Sequence, residues 1–173
     1  LSLHDALPIY CFFLFSVWIA MALAGALPYY FSGNLDFPTA FMESLSGFTT
    51  TGYTNMPYLQ EPALVLWRSL TQWVGGGMVL MFIATVLPAI NGIFGISFAM
   101  PVALKTGIIS LKRIKENTRR LTVLYTIITI CGILCFYATG LDIYDAVNYS
   151  LVIISTGGCY FSGTYLYNNF WFA

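Results

Sequence analysis

From Tyr10 to Phe31 the chain runs 22 residues without a charged side chain, and from Leu121 to Leu141 it does so again for 21. A helix needs about 20 predominantly apolar residues to cross the hydrocarbon of a bilayer, so each run has the length of one span. Composition agrees: only 8% of the residues are charged, where an ordinary soluble domain has about 25%. With 58% hydrophobic residues and a mean hydropathy of +0.78, the chain lacks the polar surface that water demands. That excludes an ordinary cytosolic domain, a disordered chain and a nucleic-acid binder. The expected class is an all-α integral membrane protein.

The opening stretch, Leu1-Ser-Leu-His-Asp-Ala-Leu-Pro-Ile9, reads as one frame of a sequencing-adapter oligonucleotide and is expected to be an assembly scar. On that reading His4, the single histidine, carries no function, and histidine-dependent catalysis or metal binding drops out.

Between the long runs lie segments that cannot span. After the turn-forming Ser32-Gly-Asn34, the stretch from Pro38 to Phe48 is too short to cross and suits a re-entrant half-helix, with Pro38 at its first helical position. Non-helical backbone at that depth survives only inside protein or beside water, and Thr49-Thr-Thr-Gly52 is such a candidate. Ala63 to Ile90 forms a further span with Gly75-Gly-Gly77 in its middle, a feature that lets helix backbones approach closely. Gly92, Gly95 and Pro101 point to a broken helix or interfacial loop from Asn91 to Leu104. Asp142 to Ile154 reads as a second half-helix. The organisation is thus a first span, half-helix and span over residues 10–104, a basic linker over 105–120, and the first half of a second unit over 121–173.

Charge sets the orientation. Lys105, Lys112, Arg113, Lys115, Arg119 and Arg120 sit in the linker against Glu116 alone, a net charge of +5, and the positive-inside bias makes that segment cytoplasmic. Asp36, Glu43, Glu61, Asp142 and Asp145 then all fall on the outer side. The basic segment needs no role beyond setting topology, although a docking role for a partner is compatible with it.

A duplication runs through this plan. Phe37-Pro-Thr-Ala-Phe-Met-Glu-Ser-Leu-Ser-Gly-Phe-Thr-Thr-Thr-Gly52 is echoed by Ile143-Tyr-Asp-Ala-Val-Asn-Tyr-Ser-Leu-Val-Ile-Ile-Ser-Thr-Gly-Gly158. Matching Gly52 to Gly157 gives a spacing of 105, whereas Ala40 to Ala146 gives 106, so a one-residue slip is expected within the echo. Repeated units in membrane proteins often line a site between the copies. A potassium ion sheds its water only where a ring of oxygens replaces it, and backbone carbonyls with threonine hydroxyls do so without fixed charge. The C-terminal, partially negative end of a half-helix favours a cation, and glycine permits the backbone angles such a loop requires. Thr50, Thr51 and Gly52 in one copy, with Ser155, Thr156 and Gly157 in the other, are the candidate filter residues.

Three motifs carry a family resemblance: Phe41-Met-Glu-Ser-Leu-Ser-Gly-Phe-Thr-Thr-Thr-Gly52, Leu66-Trp-Arg-Ser-Leu-Thr-Gln-Trp-Val-Gly-Gly76, and Asp145-Ala146 leading to Ser155-Thr-Gly-Gly158. Through them the chain resembles the TrkH/KtrB potassium transporters of the Trk/Ktr/HKT superfamily. The resemblance implies four fused units of span, re-entrant pore half-helix and span around one ion path, similar to a potassium channel subunit in plan. About one and a half units are present, so a fragment of a longer pore-forming subunit is expected. It also implies potassium as the transported ion at those six filter positions, no covalent cofactor, and residence in an inner membrane among lipid. A homodimer of the full subunit and a cytoplasmic nucleotide-binding regulatory subunit are the implied partners. Two departures stand out: Gly77-Met78 replaces the family's Met-Gly order, and Cys159 stands where an aromatic usually follows.

Other residues admit plainer roles. Cys131 and Cys135, four apart on one helix face, read as small packing residues, and neither Cys11 nor Cys159 implies a disulfide framework. Arg68, a charge at the start of a span, calls for a buried partner, with Glu43 or Glu61 the candidates, or else shapes the field of the ion path. Asn148-Tyr149-Ser150 matches a glycosylation sequon but lies in the second half-helix, where the match is chance. Tyr29, Tyr30, Trp18, Trp67 and Trp73 read as interfacial or packing aromatics. No serine or cysteine has a histidine or paired carboxylate at catalytic spacing, so an enzyme is not expected. The competing reading is a non-transporting membrane scaffold or accessory subunit whose threonine loops are ordinary turns.

Overall fold

The computed structural model describes residues 3–33, 35–54, 61–94 and 111–158. These form five helices: α1 Leu3–Phe31, α2 Phe37–Phe48, α3 Pro62–Phe94, α4 Leu111–Ala138 and α5 Ile143–Ile154. At 1.5 Å of rise per residue, α1, α3 and α4 are about 42–50 Å long, enough to cross a bilayer, whereas α2 and α5 reach only about 18 Å. The order long, short, long, then long, short is that of one unit of span, half-helix and span followed by the first half of a second. By length and apolar composition, the stretch Thr118–Ala138 of α4 qualifies as a complete span among the described residues.

The half-helices fall within a residue of their expected bounds. Each starts after an extended aspartate, Asp36 or Asp142, whose charge suits the positive end of the helix. Pro38 is the second helical residue rather than the first, where its missing N–H still costs nothing.

Three other boundaries differ from expectation. Helix α1 begins at Leu3, inside the opening stretch, and runs one turn past Pro28. There the Ser32 N–H donates to the Pro28 carbonyl at 3.1 Å and its hydroxyl to the Tyr29 carbonyl at 2.7 Å, closing the last turn. Helix α4 begins at Leu111, so the second part of the basic segment continues the span without a break. Helix α3 extends to Phe94, while the rest of the broken helix or loop expected up to Leu104 lies outside the described residues. So do residues 105–110 of the basic segment and everything from Cys159 onward.

Helix α3 is the hub, packing against α1, α2, α4 and α5. Trp67 Nε1 donates to the Gly25 carbonyl of α1 at 3.1 Å, and Trp73 Nε1 to Thr129 Oγ1 of α4 at 3.0 Å. Trp73 also stacks on Tyr125, whose hydroxyl donates to the Trp73 carbonyl. These aromatics therefore tie helices together rather than only marking an interface. A small core of Ala26, Tyr29, Ala40 and Leu64 closes the α1–α2–α3 junction. Leu124, Ile127, Ile128 and Leu134 of α4 and Phe12, Phe13 and Phe15 of α1 are exposed, as expected where the solvent is hydrocarbon. Cys131 and Cys135 share that exposed face as free thiols, so the packing role expected for them is not met by the described residues.

Candidate functional site

The site is built from the C-terminal turns of α2 and α5. In α2 the Thr50 N–H donates to the Gly47 carbonyl at 3.0 Å and the Thr51 N–H to the Ser46 carbonyl at 3.1 Å. In α5 the Thr156 N–H donates to Ile153 at 3.0 Å and the Gly157 N–H to Val152 at 2.9 Å. Both are Schellman closures, which place a left-handed residue just past the cap, a position usually held by glycine. Here it is held by Thr50 (φ 54°) and Thr156 (φ 59°). A β-branched residue in that region is an outlier costing about 1–2 kcal/mol, and the same strain recurs in both copies. Left-handed glycines, Gly52 (φ 73°) and Gly158 (φ 71°), follow two residues later.

This geometry corrects the register read from the sequence. Asp36 and Asp142, Thr50 and Thr156, and Gly52 and Gly158 all stand 106 apart with no slip in the loop. At the ends of α1 and α4 the spacing is 107: the Gly33 N–H donates to Tyr30 as the Gly140 N–H does to Tyr137, and both glycines are left-handed. The extra residue therefore lies in the connection between span and half-helix. Its place there follows from mechanics, since a connection between helices absorbs an insertion that a hydrogen-bonded turn cannot.

The counterparts of Thr50, Thr51 and Gly52 are accordingly Thr156, Gly157 and Gly158. Sequence reading sets Gly157 opposite Gly52 because the chain offers two adjacent glycines and no local signal to choose between them. Ser155 corresponds to Thr49. It is buried, its hydroxyl donates back to the Val152 carbonyl at 3.0 Å, and its backbone lies against Gly76.

Two adjacent glycines of α3 divide the loops between them. A Cβ on Gly75 would overlap the Phe48 carbonyl oxygen, with the carbonyl carbon at 2.7 Å, and one on Gly76 would lie 2.9 Å from the Ser155 Cα. Among the described residues Gly77 meets only the Tyr125 ring, at 3.4 Å. The glycine run thus seats the ends of both half-helices at one level of α3. Helices α1 and α4 repeat the arrangement, Gly25 of α1 facing Ser44 and Phe48 as Gly132 of α4 faces Ser150 and Ile154.

Behind the first loop the polar contacts are ionic. Arg68 Nη1 pairs with Glu43 Oε2 at 3.1 Å, both side chains buried, so Glu43 is the partner the arginine required. Arg68 Nη2 donates to the Gly52 carbonyl at 2.8 Å and the Tyr53 carbonyl at 3.3 Å. Thr54 Oγ1 donates to Glu43 Oε1 at 2.8 Å, and Ser46 Oγ to the Tyr53 carbonyl at 2.5 Å. The Thr49 and Thr51 hydroxyls share a bond of 2.8 Å. Behind the second loop stands Gln72, one turn along α3 from Arg68, fully buried against Gly157. Asn148 is also fully buried, its Nδ2 donating to the Tyr144 carbonyl at 2.8 Å, which bars a glycan there.

The arrangement offers oxygens and dipoles. Among the described residues no group of three or more histidine, cysteine, aspartate or glutamate side chains could hold a metal.

Comparison with known proteins points the same way. A family model described as TrkH, cation transport protein, matches residues 4–163. The Trk system potassium uptake protein TrkH of Escherichia coli K12 is 34% identical over 148 residues, covering 82% of this chain and 30% of that protein. An uncharacterized cation transporter of Methanocaldococcus jannaschii is 32% identical over 161 residues, covering 88% of this chain and 32% of that one. The crystal structure of the potassium transporter TrkH from Vibrio parahaemolyticus superposes with a TM-score of 0.61 at 29% identity. It covers 78% of this chain and 26% of that one. The chain spans about a third or less of the length of these relatives.

Proposed function

The chain belongs to the TrkH family of cation transport proteins, and on that premise we propose that it forms part of the wall of a pore carrying a monovalent cation, potassium, across a bacterial-type inner membrane. The observation that carries this reading is the pair of half-helices ending in the same strained turn, both seated on Gly75 and Gly76. Strain of this kind persists where the surrounding structure over-determines it, and it gathers at functional sites. A scaffold has no use for it twice.

Potassium is cargo in this scheme, and no covalent bond changes. Thr50, Thr51 and Gly52, with Thr156, Gly157 and Gly158, would present carbonyl and hydroxyl oxygens in place of the hydration shell. The negative ends of α2 and α5 would add a field that favours a cation. Arg68 would act from behind, holding Gly52 and Tyr53 while Glu43 cancels its charge. Segments outside this chain would complete the ring. The basic residues of 105–120 favour a cytoplasmic linker, which puts both loops on the outer side. The proposal extends to a homodimer of the full subunit and a cytoplasmic nucleotide-binding regulatory partner, as the family resemblance implies.

The test is rubidium uptake by the full-length transporter in a host lacking potassium uptake, with and without Thr51→Val. Loss of uptake at unchanged membrane abundance is expected. Uptake indifferent to Thr51 would return the loop to the status of a turn.

A further inference from the structure

Gln72 is wholly buried, yet neither its Nε2 nor its Oε1 has a hydrogen-bond partner among the described residues. An apolar side chain of similar size would fill the same space without burying two polar atoms. The amide lies directly against the second loop. A Cβ built on Gly157 would stand 2.5 Å from Gln72 Oε1, 2.7 Å from Cδ and 3.3 Å from Cγ. Full burial denies the amide an open side toward which to swing.

The glycine at 157 has no conformational explanation, since its φ lies outside the left-handed region occupied by Gly52 and Gly158. Its counterpart in the first copy is Thr51, so the turn itself tolerates a side chain there. The two copies differ in what stands behind them. Arg68 reaches the first loop through the Gly52 and Tyr53 carbonyls. Gln72, four residues on and therefore on nearly the same face of α3, reaches the second.

Building on the transport reading above, we infer that Gln72 is a positioning residue for the second filter loop, a neutral counterpart to Arg68, and that residue 157 is glycine because the Gln72 amide occupies the space of a side chain. A carboxamide can both donate to and accept from backbone, and among the described residues both of its atoms are still open for that. It does so without placing a second buried cation beside the ion path.

The experiment uses the full-length transporter in a host lacking potassium uptake, reading rubidium uptake, rubidium over sodium preference and membrane abundance. Gly157→Ala is expected to lower uptake about tenfold or more, because its methyl needs the space the Gln72 amide fills and a small displacement of a positioned loop is costly. Adding Gln72→Ala to it should recover most of the lost uptake by vacating the space, while rubidium preference stays reduced for want of the amide. Gln72→Leu, which keeps bulk but neither polar atom, is expected at normal abundance with its rubidium preference reduced about tenfold.

A double variant as impaired as Gly157→Ala alone would overturn the inference. So would Gln72→Leu at normal abundance with unchanged preference, a measurement that stands even if Gly157→Ala fails to accumulate. If Thr51→Val abolishes uptake while Gly157→Ala is silent, this inference falls and the transport reading stands. If both are silent, the transport reading itself falls.

Discussion

Gly75→Ala is the sharpest test of how the two half-helices are seated. A methyl there would overlap the Phe48 carbonyl oxygen and sit 2.7 Å from its carbon and 2.9 Å from its Cα. Carbon atoms pack best at about 3.5–4.0 Å, so the end of α2 must retreat by about 1 Å. The obstacle is backbone and cannot rotate away. Two energies compete: alanine improves helix propensity by about 0.8–1.0 kcal/mol, while overpacking costs about 1–3 kcal/mol, so net stability falls by at most about 2 kcal/mol. Function should suffer far more than stability. A displacement of about 1 Å at a positioned site can cost on the order of a hundredfold in rate, and here it carries Thr50 to Gly52 with it. Gly77→Ala is the control, because among the described residues its methyl would meet only the Tyr125 ring at 3.4 Å, an ordinary contact. Rubidium uptake by full-length transporter at matched membrane abundance should therefore fall steeply for Gly75→Ala and stay near wild type for Gly77→Ala. Equal uptake by the two variants would refute the seating argument.

Two further outcomes follow from the same geometry. Thr50→Gly removes a β-branched residue from a left-handed position and should raise the thermal stability of the detergent-solubilised transporter by about 1 kcal/mol, whereas Thr50→Val should not; equal melting temperatures would mean the turn stores no strain. Glu43→Gln leaves the buried Arg68 guanidinium without its counter-charge and should cost about 3–5 kcal/mol, read as loss of folded protein from the membrane. Glu43→Leu combined with Arg68→Met removes both charges and should accumulate better than either single variant; additive losses would show that the pair acts through something other than mutual neutralisation.

Much of this protein was legible in its residues because the signals were local. Uncharged runs of spanning length, short apolar segments behind Asp36 and Asp142, and one cluster of positive charge each report directly on a helix or its surroundings. The half-helices accordingly fell within a residue of expectation, and a charge as costly as Arg68 announced its need for a partner such as Glu43. The family motifs were equally plain.

Tertiary structure decided whatever depended on two distant segments meeting. Gly75, Gly76 and Gly77 are identical letters, and only packing shows that one seats Phe48, the next Ser155 and the third Tyr125. The register of the second loop turned on backbone angles at Thr156 and Gly158, which the closing hydrogen bonds impose and no side chain advertises. Gln72 had no signal of its own, since a polar residue near the start of a span is ordinary until its neighbours are known. Sequence records the local preference of each stretch of chain. The angles and spaces left to individual residues follow from how remote stretches press against one another, and those contacts exist only once the chain has folded.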